Sequence, residues 1–264
     1  MTLQQTTTEL DVAKRPAPSA VSVLRADPDL APAIPKDRWS EAEQRSVARV
    51  FVASGPQLER EPTLPGEEGY GLLVLSGALC RRIAQDELTA AEVVGPGDLI
   101  RPWEGFGSWS SLPLESRWAV VMPTRLAILD RSFAERVAPF PDIALGLTRR
   151  LVGRTARVAT MLTALCQPRV EDRLITLFGY LADRFGRTRP DHVHVPLPLT
   201  HSLLAELVAA RRPSVTKALV ALREEGTLVR DTEGWLLRLP ADPSYLSEPS
   251  PSAGTGNGGR RAGS

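Results

Sequence analysis

The chain has 264 residues, 42% of them hydrophobic, and its 32 Lys and Arg are balanced by 31 Asp and Glu to a formal net charge of +1. That is enough chain for one large domain or two smaller ones with a substantial core, in an ordinary globular composition. No run of about 18 apolar residues occurs, which excludes a membrane-spanning helix. The opening MTLQQTTTELDVAKRPAPSA has no apolar signal core, so a cytoplasmic protein is expected.

Cys80 and Cys166 lie far apart and offer neither a disulfide framework nor the spacing of a zinc or iron–sulfur site. Both sit in apolar strings and read as core residues rather than as a thiol switch. His192, His194 and His201 are the only histidines, too few for a multi-histidine metal enzyme. No metal and no cofactor are expected. The near-zero net charge favours no partner in bulk, so any nucleic-acid site must be a local patch. Lys14, Lys36 and Lys217 are the only lysines, and the arginines are spread over the whole chain, which reads mainly as genome composition.

Residues 1–36, rich in Thr, Pro and Ala, are expected to be disordered, as is the Pro/Ser/Gly tail 241–264. Within 38–58 a short helix is expected, with Ser40 as cap and Glu43 as its capping-box partner. Short apolar runs at 72–75, 78–83, 92–94, 118–122 and 125–129 read as strands. Ser76-Gly77, Gly95-Pro96-Gly97-Asp98 and Pro123-Thr124 are the turn signals between them. Strands at this spacing suggest an antiparallel sandwich or jelly roll, assigned to 37–140. Residues 60–130 contain no histidine, so a metal-dependent jelly-roll enzyme lacks its ligands, and no enzymatic activity is expected.

The period then changes. Leu147, Leu151, Arg154, Val158, Met161 and Leu165 recur at spacings of four and three, the pattern of a coiled-coil seam on a helix over 141–167. A homodimer through this seam is expected, with Arg154 snorkelling or pairing across it. An amphipathic helix packed on its own domain is the alternative. Pro168 ends the helix, and a second follows with Leu174, Leu177, Phe178, Leu181 and Phe185 on one face. Residues 193–199 read as extended, with His192 and His194 as surface residues on one face of a strand.

Residues 200–239 carry the strongest pattern. Thr200 is an N-cap, and Leu203, Leu204, Leu207 and Val208 form an apolar face. Ala209-Ala210 makes a bend, and Pro213 opens a second helix ended by Gly226. Two strands follow, at 227–230 and 235–239. Helix, turn, helix and hairpin in this order make a winged helix-turn-helix over 168–240. The second helix, 213–225, is the expected DNA reader. Arg211, Arg212, Ser214, Thr216 and Lys217 stand at its start, with no acidic residue before Glu224. Arginine near the N-terminus of such a helix reads guanine edges, and hydroxyls reach bases or phosphates. Thr200, His201 and the first-helix N-terminus are placed to meet a phosphate.

The stretch LLAELVAARRPSVTKALVALREEGTLV resembles the helix-turn-helix signature of the cyclic-AMP receptor protein / fumarate–nitrate regulator (CRP/FNR) family of bacterial transcription factors, and the resemblance extends over roughly 60–240. It implies an α+β protein with an N-terminal cyclic-nucleotide-binding-like β-roll, a long dimerisation helix and a C-terminal winged helix. It also implies double-stranded DNA, a second copy of the chain and RNA polymerase as partners. Arg212 and Lys217 fall on the family's basic reading positions. Pro213 stands where many members carry Glu, and Ala209 replaces the usual turn glycine. By the same resemblance, Gly95-Pro96-Gly97-Asp98 precedes the phosphate-binding cassette, which makes Arg101, Trp103, Glu104, Glu115, Arg117 and Trp118 the possible effector pocket. Glu115 would occupy the place of the phosphate-binding arginine and repel a phosphate, so no cyclic-nucleotide response is expected. Trp103, Phe106, Trp109 and Trp118 either line a pocket for an apolar effector or fill the nucleotide's volume. The main functional reading is a homodimeric, sequence-specific DNA-binding regulator. The alternative is a ligand-sensing or protein-interaction module whose winged helix does not read DNA.

Overall fold

The computed structural model describes residues 19–54, 69–86, 88–102 and 112–238. Trp103, Glu104, Phe106, Trp109 and the tail 241–264 lie outside the described residues.

Two units follow one another. The first is an antiparallel sheet built from β1 (Ser19–Ser22), β2 (Val47–Ala53), β3 (Gly69–Gln85), β4 (Leu88–Val94), β5 (Leu99–Ile100) and β6 (Glu115–Asp130). Its order is β1-β2-β6-β3-β4, with β5 paired to β3. Strands β3 and β6 run together over their length, and their register shifts between Val74 and Leu79, around Gly77. Gly77 has φ +93°, and a Cβ there would lie 2.2 Å from the Pro123 carbonyl oxygen, so only glycine lets the strands cross this closely. Inside the sheet, Leu72, Val74, Leu79, Ile100 and Leu126 form one apolar cluster.

The start of the chain departs from expectation. Residues 19–36 are folded, not disordered. Strand β1 pairs with β2, and α1 (Val23–Ala26) follows with Ser22 accepting the Arg25 N–H. A single 3-10 turn covers Pro28–Leu30. Val23 and Leu24 are fully buried, and with Leu30 and Ile34 they join Phe133, Phe140 and Ile143 in one cluster. A few apolar residues among prolines and threonines do this because the groove they fill is made by distant elements. The next helix, α2 (Lys36–Arg45), starts after Pro35, so Ser40 lies inside it and caps nothing. Beyond it, VARVFVA alternates in burial as strand β2 rather than continuing a helix.

After β6, Asp130 caps α3 (Arg131–Val137) by accepting the Phe133 N–H at 2.9 Å. Burial works against the Asp130 carboxylate, but Phe133, Ser132 and Arg49 outweigh it and hold its pKa below the usual range. Helix α4 (Pro141–Leu165) then runs alongside the sheet, and α5 (Val170–Phe185) leads into the second unit. That unit holds α6 (His201–Leu207), α7 (Arg212–Glu224) and a four-stranded sheet. The sheet contains β7 (Arg187–Thr188), β8 (Val193–Val195), β9 (Leu228–Arg230) and β10 (Trp235–Leu237), in the order β7-β8-β10-β9. His194 is buried in β8 opposite Leu236, not on the surface as the sequence suggests. This α+β order, sheet then long helix then winged helix, matches the expected fold class.

The units share one core. Ala78 and Cys80 of β3 and Val93 of β4 are buried in the same cluster as Leu177, Leu204 and Leu207 of the helical unit. Burial pushes the Cys80 thiol up to about 12, so at neutral pH it is a packed thiol and not a reactive thiolate.

The buried position of Leu24 gives a direct check on the folded start of the chain. Leu24→Ala is expected to lower unfolding stability by about 2–5 kcal/mol, measured by urea denaturation. Unchanged stability is the outcome that a disordered 1–36 segment would give.

Candidate nucleic-acid interface

Helix α7 is held by a narrow inner face. Val215, Ala218, Leu219 and Leu222 are buried, whereas Arg211, Arg212, Ser214, Thr216 and Lys217 are all exposed. The helix begins at Arg212 with Pro213 in its first turn, where the missing N–H leaves no bond unmade. Arg211 is the N-cap and provides no side-chain cap, so the free N–H groups of the first turn face outward. The five polar residues expected to read DNA are thus presented together around one helix start. The nearest acidic side chains of α7 stand at its far end, at Glu224 and Glu225.

Helix α6 is capped by Thr200, whose hydroxyl oxygen accepts the Leu203 N–H at 3.2 Å. His201 is half-buried. Its Nδ1 lies 3.1 Å from the Thr216 hydroxyl, and its ring lies 6.5 Å from Trp235. His201 therefore braces α6 against α7 and the hairpin beside the exposed start of α7. Arg230 of β9 lies 5.4 Å over the Trp235 ring and donates to the Leu199 carbonyl, which ties the hairpin to the segment leading into α6.

Between α6 and α7 the chain passes through Ala209 at φ +47°, the left-handed region where a side chain costs energy. The strain is held by Arg173 of α5, which donates to the carbonyls of Val208 and Ala209 at 3.2 and 3.3 Å and to Gln167 at 2.6 Å. Arg173 is a positioning residue that sequence reading missed, because nothing local to α5 indicates that its guanidinium reaches a turn 35 residues away.

The helical unit is also fastened to the sheet. Asp98, in the Gly95–Asp98 turn, is 1% exposed. Its carboxylate accepts the Gly95 N–H at 2.9 Å, Arg184 of α5 at 2.8 Å, and Arg157 of α4. Burial opposes the Arg184 charge, but Asp98 and Tyr180 outweigh it and raise its pKa above the ordinary value. Gly95 has no side chain where the Phe185 ring approaches, and a Cβ there would meet it at 2.3 Å. Arg82 of β3 bonds Glu206 of α6 at 2.5 Å.

Helix α4 presents a different face from the expected seam. Leu147 is 1% exposed in the core of the first unit, and Arg154 turns to Glu92 of β4. Met161 and Leu165 are half-buried, Met161 against the second unit's core. Of the six expected seam residues, Leu151 and Val158 are exposed. They join Leu145, Val152 and Leu162, exposed by 50%, 64% and 60%, on a stripe rotated around the helix. The helix first satisfies its own sheet, and a second apolar stripe is left outward.

The described ones among the expected effector residues, Arg101, Glu115, Arg117 and Trp118, are not gathered. Glu115 and Arg117 pair with each other at 2.9 Å on the exposed side of β6. Trp118 is buried on the opposite side, with Arg81 5.6 Å over its ring. Arg101 donates to the Gly69 carbonyl. Glu115 thus faces solvent rather than a phosphate site. Half-buried Glu92 instead accepts from Arg154 and lies 3.5 Å from Arg81, itself bonded to the Ser116 hydroxyl at 3.1 Å. Burial lowers the Arg81 pKa despite the Glu92 carboxylate beside it. Among the described residues no cluster of three or more potential metal ligands occurs, and no helix is long and apolar enough to cross a membrane.

Residues 156–241 match the model of the Crp-like helix-turn-helix domain. The chain is 28% identical over 183 residues to the CRP-like cAMP-activated global transcriptional regulator of Mycobacterium tuberculosis, covering 64% of this chain and 78% of that protein. It is 30% identical over 93 residues to the global nitrogen regulator of Synechocystis sp. strain PCC 6803, covering 35% of this chain and 41% of that one. In the latter comparison the chain spans about two fifths of the relative's length. The fold is similar to that of a CooA variant from Carboxydothermus hydrogenoformans, with TM-score 0.55, 20% identity, and coverage of 75% and 86% of the two chains. A cyclic nucleotide-binding domain protein from Listeria monocytogenes gives TM-score 0.57, 17% identity, and coverage of 72% and 89%. The chain is thus similar to DNA-binding transcription regulators of the CRP/FNR family, and its residues 156–241 carry a Crp-like helix-turn-helix domain.

Ala209 offers a check on the turn geometry. Ala209→Gly relieves a left-handed alanine and is expected to leave the protein as stable or to raise its stability by up to about 1 kcal/mol, read as a higher denaturation midpoint. A clear loss of stability would contradict the left-handed turn.

Proposed function

We propose that the chain works as a homodimer that reads a two-fold symmetric DNA site with α7. The observation that carries this is the joint exposure of Arg211, Arg212, Ser214, Thr216 and Lys217 on a helix start free of acidic side chains. In this reading Arg212 and Lys217 meet bases and phosphates. Ser214 and Thr216 supply hydroxyls, and the α6 N-terminus at Thr200 and His201 meets the backbone. The stripe of Leu145, Leu151, Val152, Val158 and Leu162 supplies the dimer contact, since two copies of one stripe bury each other. The first unit, 37–140 with the folded segment before it, biases the second through α4. The dimerisation helix, 141–167, and the winged helix, 168–240, serve the dimer and the DNA. RNA polymerase is a further partner in this reading, and the protein acts in the cytoplasm without catalysing a reaction. Cyclic nucleotides are not its signal in this reading, because the half-buried arginines Arg81 and Arg154 already face Glu92.

Two substitutions test the two halves of the reading. Arg212→Ala is expected to cost about 1–3 kcal/mol on the best-bound duplex and to relax one base position, measured by fluorescence anisotropy against a set of single-base variants. Equal affinity in the variant would remove Arg212 from the interface. Leu162→Glu places a charge in the stripe on each subunit and is expected to give a folded monomer in sedimentation analysis. A dimer that persists unchanged would place the contact elsewhere.

A further inference from the structure

His201 opens the first turn of α6, and Thr216 lies on the exposed face of α7. The imidazole Nδ1 lies 3.1 Å from the Thr216 hydroxyl oxygen, a hydrogen-bond distance. The Thr200 cap fixes the start of α6, and Arg173 holds the turn that sets α7 beside it. The Trp235 ring flanks the imidazole at 6.5 Å. The charged groups nearest in the chain to these contacts are Arg211, Arg212 and Lys217 at the α7 start, and Arg230 of β9 over the same Trp235 ring. Asp231 and Glu233 stand in the hairpin turn, Arg223, Glu224 and Glu225 at the far end of α7, and Glu206 of α6 is bonded to Arg82.

The contact has two chemically different forms. A neutral imidazole with a bare Nδ1 accepts the Thr216 hydroxyl proton, so the hydroxyl offers only lone pairs outward. A protonated imidazole donates from Nδ1 to the Thr216 oxygen, which frees the hydroxyl proton for an outside acceptor. Toward base edges these are opposite preferences. Lone pairs suit the amino groups of adenine and cytosine, and a free hydroxyl proton suits the acceptors of guanine and thymine. We infer that His201 is a positioning residue whose protonation sets which base Thr216 prefers in the DNA site. With Nδ1 engaged by Thr216, Nε2 is the atom that meets a backbone phosphate, whose charge favours the imidazolium. The complex then holds the proton more tightly than the free protein, and affinity rises as pH falls through the histidine range. This rests on the reading of α7 as the DNA reader, and the test separates the two.

The test uses the full-length protein, the tightest duplex from a random pool and its single-base variants, by fluorescence anisotropy at pH about 6 and about 8.5. At one base position the preference is expected to move from adenine or cytosine at high pH toward guanine or thymine at low pH, by about threefold or more. His201→Asn does not titrate, and Thr216→Val keeps the shape without the hydroxyl; each is expected to lose this shift. Thr216 is exposed, so its variants keep the test open if His201→Asn fails to fold. Thr216→Ser is expected to retain the shift. The contact is read separately without DNA, from the ring-nitrogen NMR signals of the three histidines. In Thr216→Val the His201 titration midpoint is expected to move by about 0.2 pH unit or more. Base preferences that do not vary with pH, or that vary equally in the folded variants lacking either group, overturn the inference, as does a His201 signal indifferent to Thr216→Val. Protein that binds no duplex at either pH overturns the DNA-binding reading and the inference with it, whatever the imidazole shows.

Discussion

The arrangement of the molecule depends on a single buried carboxylate. Asp98 is almost fully removed from solvent, and its two oxygens receive a backbone N–H of its own turn, a guanidinium from α4 and a guanidinium from α5. A buried charge is tolerable only when such donors surround it, and removing one leaves the charge uncompensated. The Gly95–Asp98 turn is therefore the point at which the sheet, the long helix and the DNA-binding unit meet. The turn's geometry serves this. Gly97 lies at φ +80°, and the bare Gly95 lets Phe185 come close.

From that point the position of α7 follows. Helix α5 is anchored at one end by Arg184 and carries Arg173 nearer its start, where it holds the left-handed turn between α6 and α7. Helix α6 is fastened to β3 through Glu206 and Arg82, and its apolar face shares a core with Cys80 and Val93. Helix α7 is carried outward on this support with its polar face free. A change at the sheet thus has a short physical route to the exposed face of α7, through packed side chains and ion pairs rather than through a flexible linker.

The winged helix was legible in the sequence because its signals are local. Thr200, Pro213 and Gly226 mark helix ends by their own backbone chemistry, and the intervening apolar residues keep one period. The outward face of α4 was not legible, because Leu147 and Arg154 turn to the helix's own sheet while Leu145, Val152 and Leu162 stay exposed. Periodicity does not say which stripe belongs to the helix's own domain. The arginine at 154 was the available signal, a charge set in one stripe that proved to face Glu92. Residues 19–36 escaped for a related reason. Val23, Leu24, Leu30 and Ile34 are too few to announce a core, and their burial is set by Phe133, Phe140 and Ile143, far along the chain. The Asp98 turn was visible as a turn, but its partners in α4 and α5 are a property of the fold alone.

The most direct measurement of the central claim, that two copies of α7 read DNA from a fixed support, is selection of bound duplexes from a random pool with the purified full-length protein. The account predicts a two-fold symmetric motif whose half-sites lie about one helical turn apart, roughly 34–36 Å. Recovery of no motif, or of a single asymmetric half-site, would contradict it.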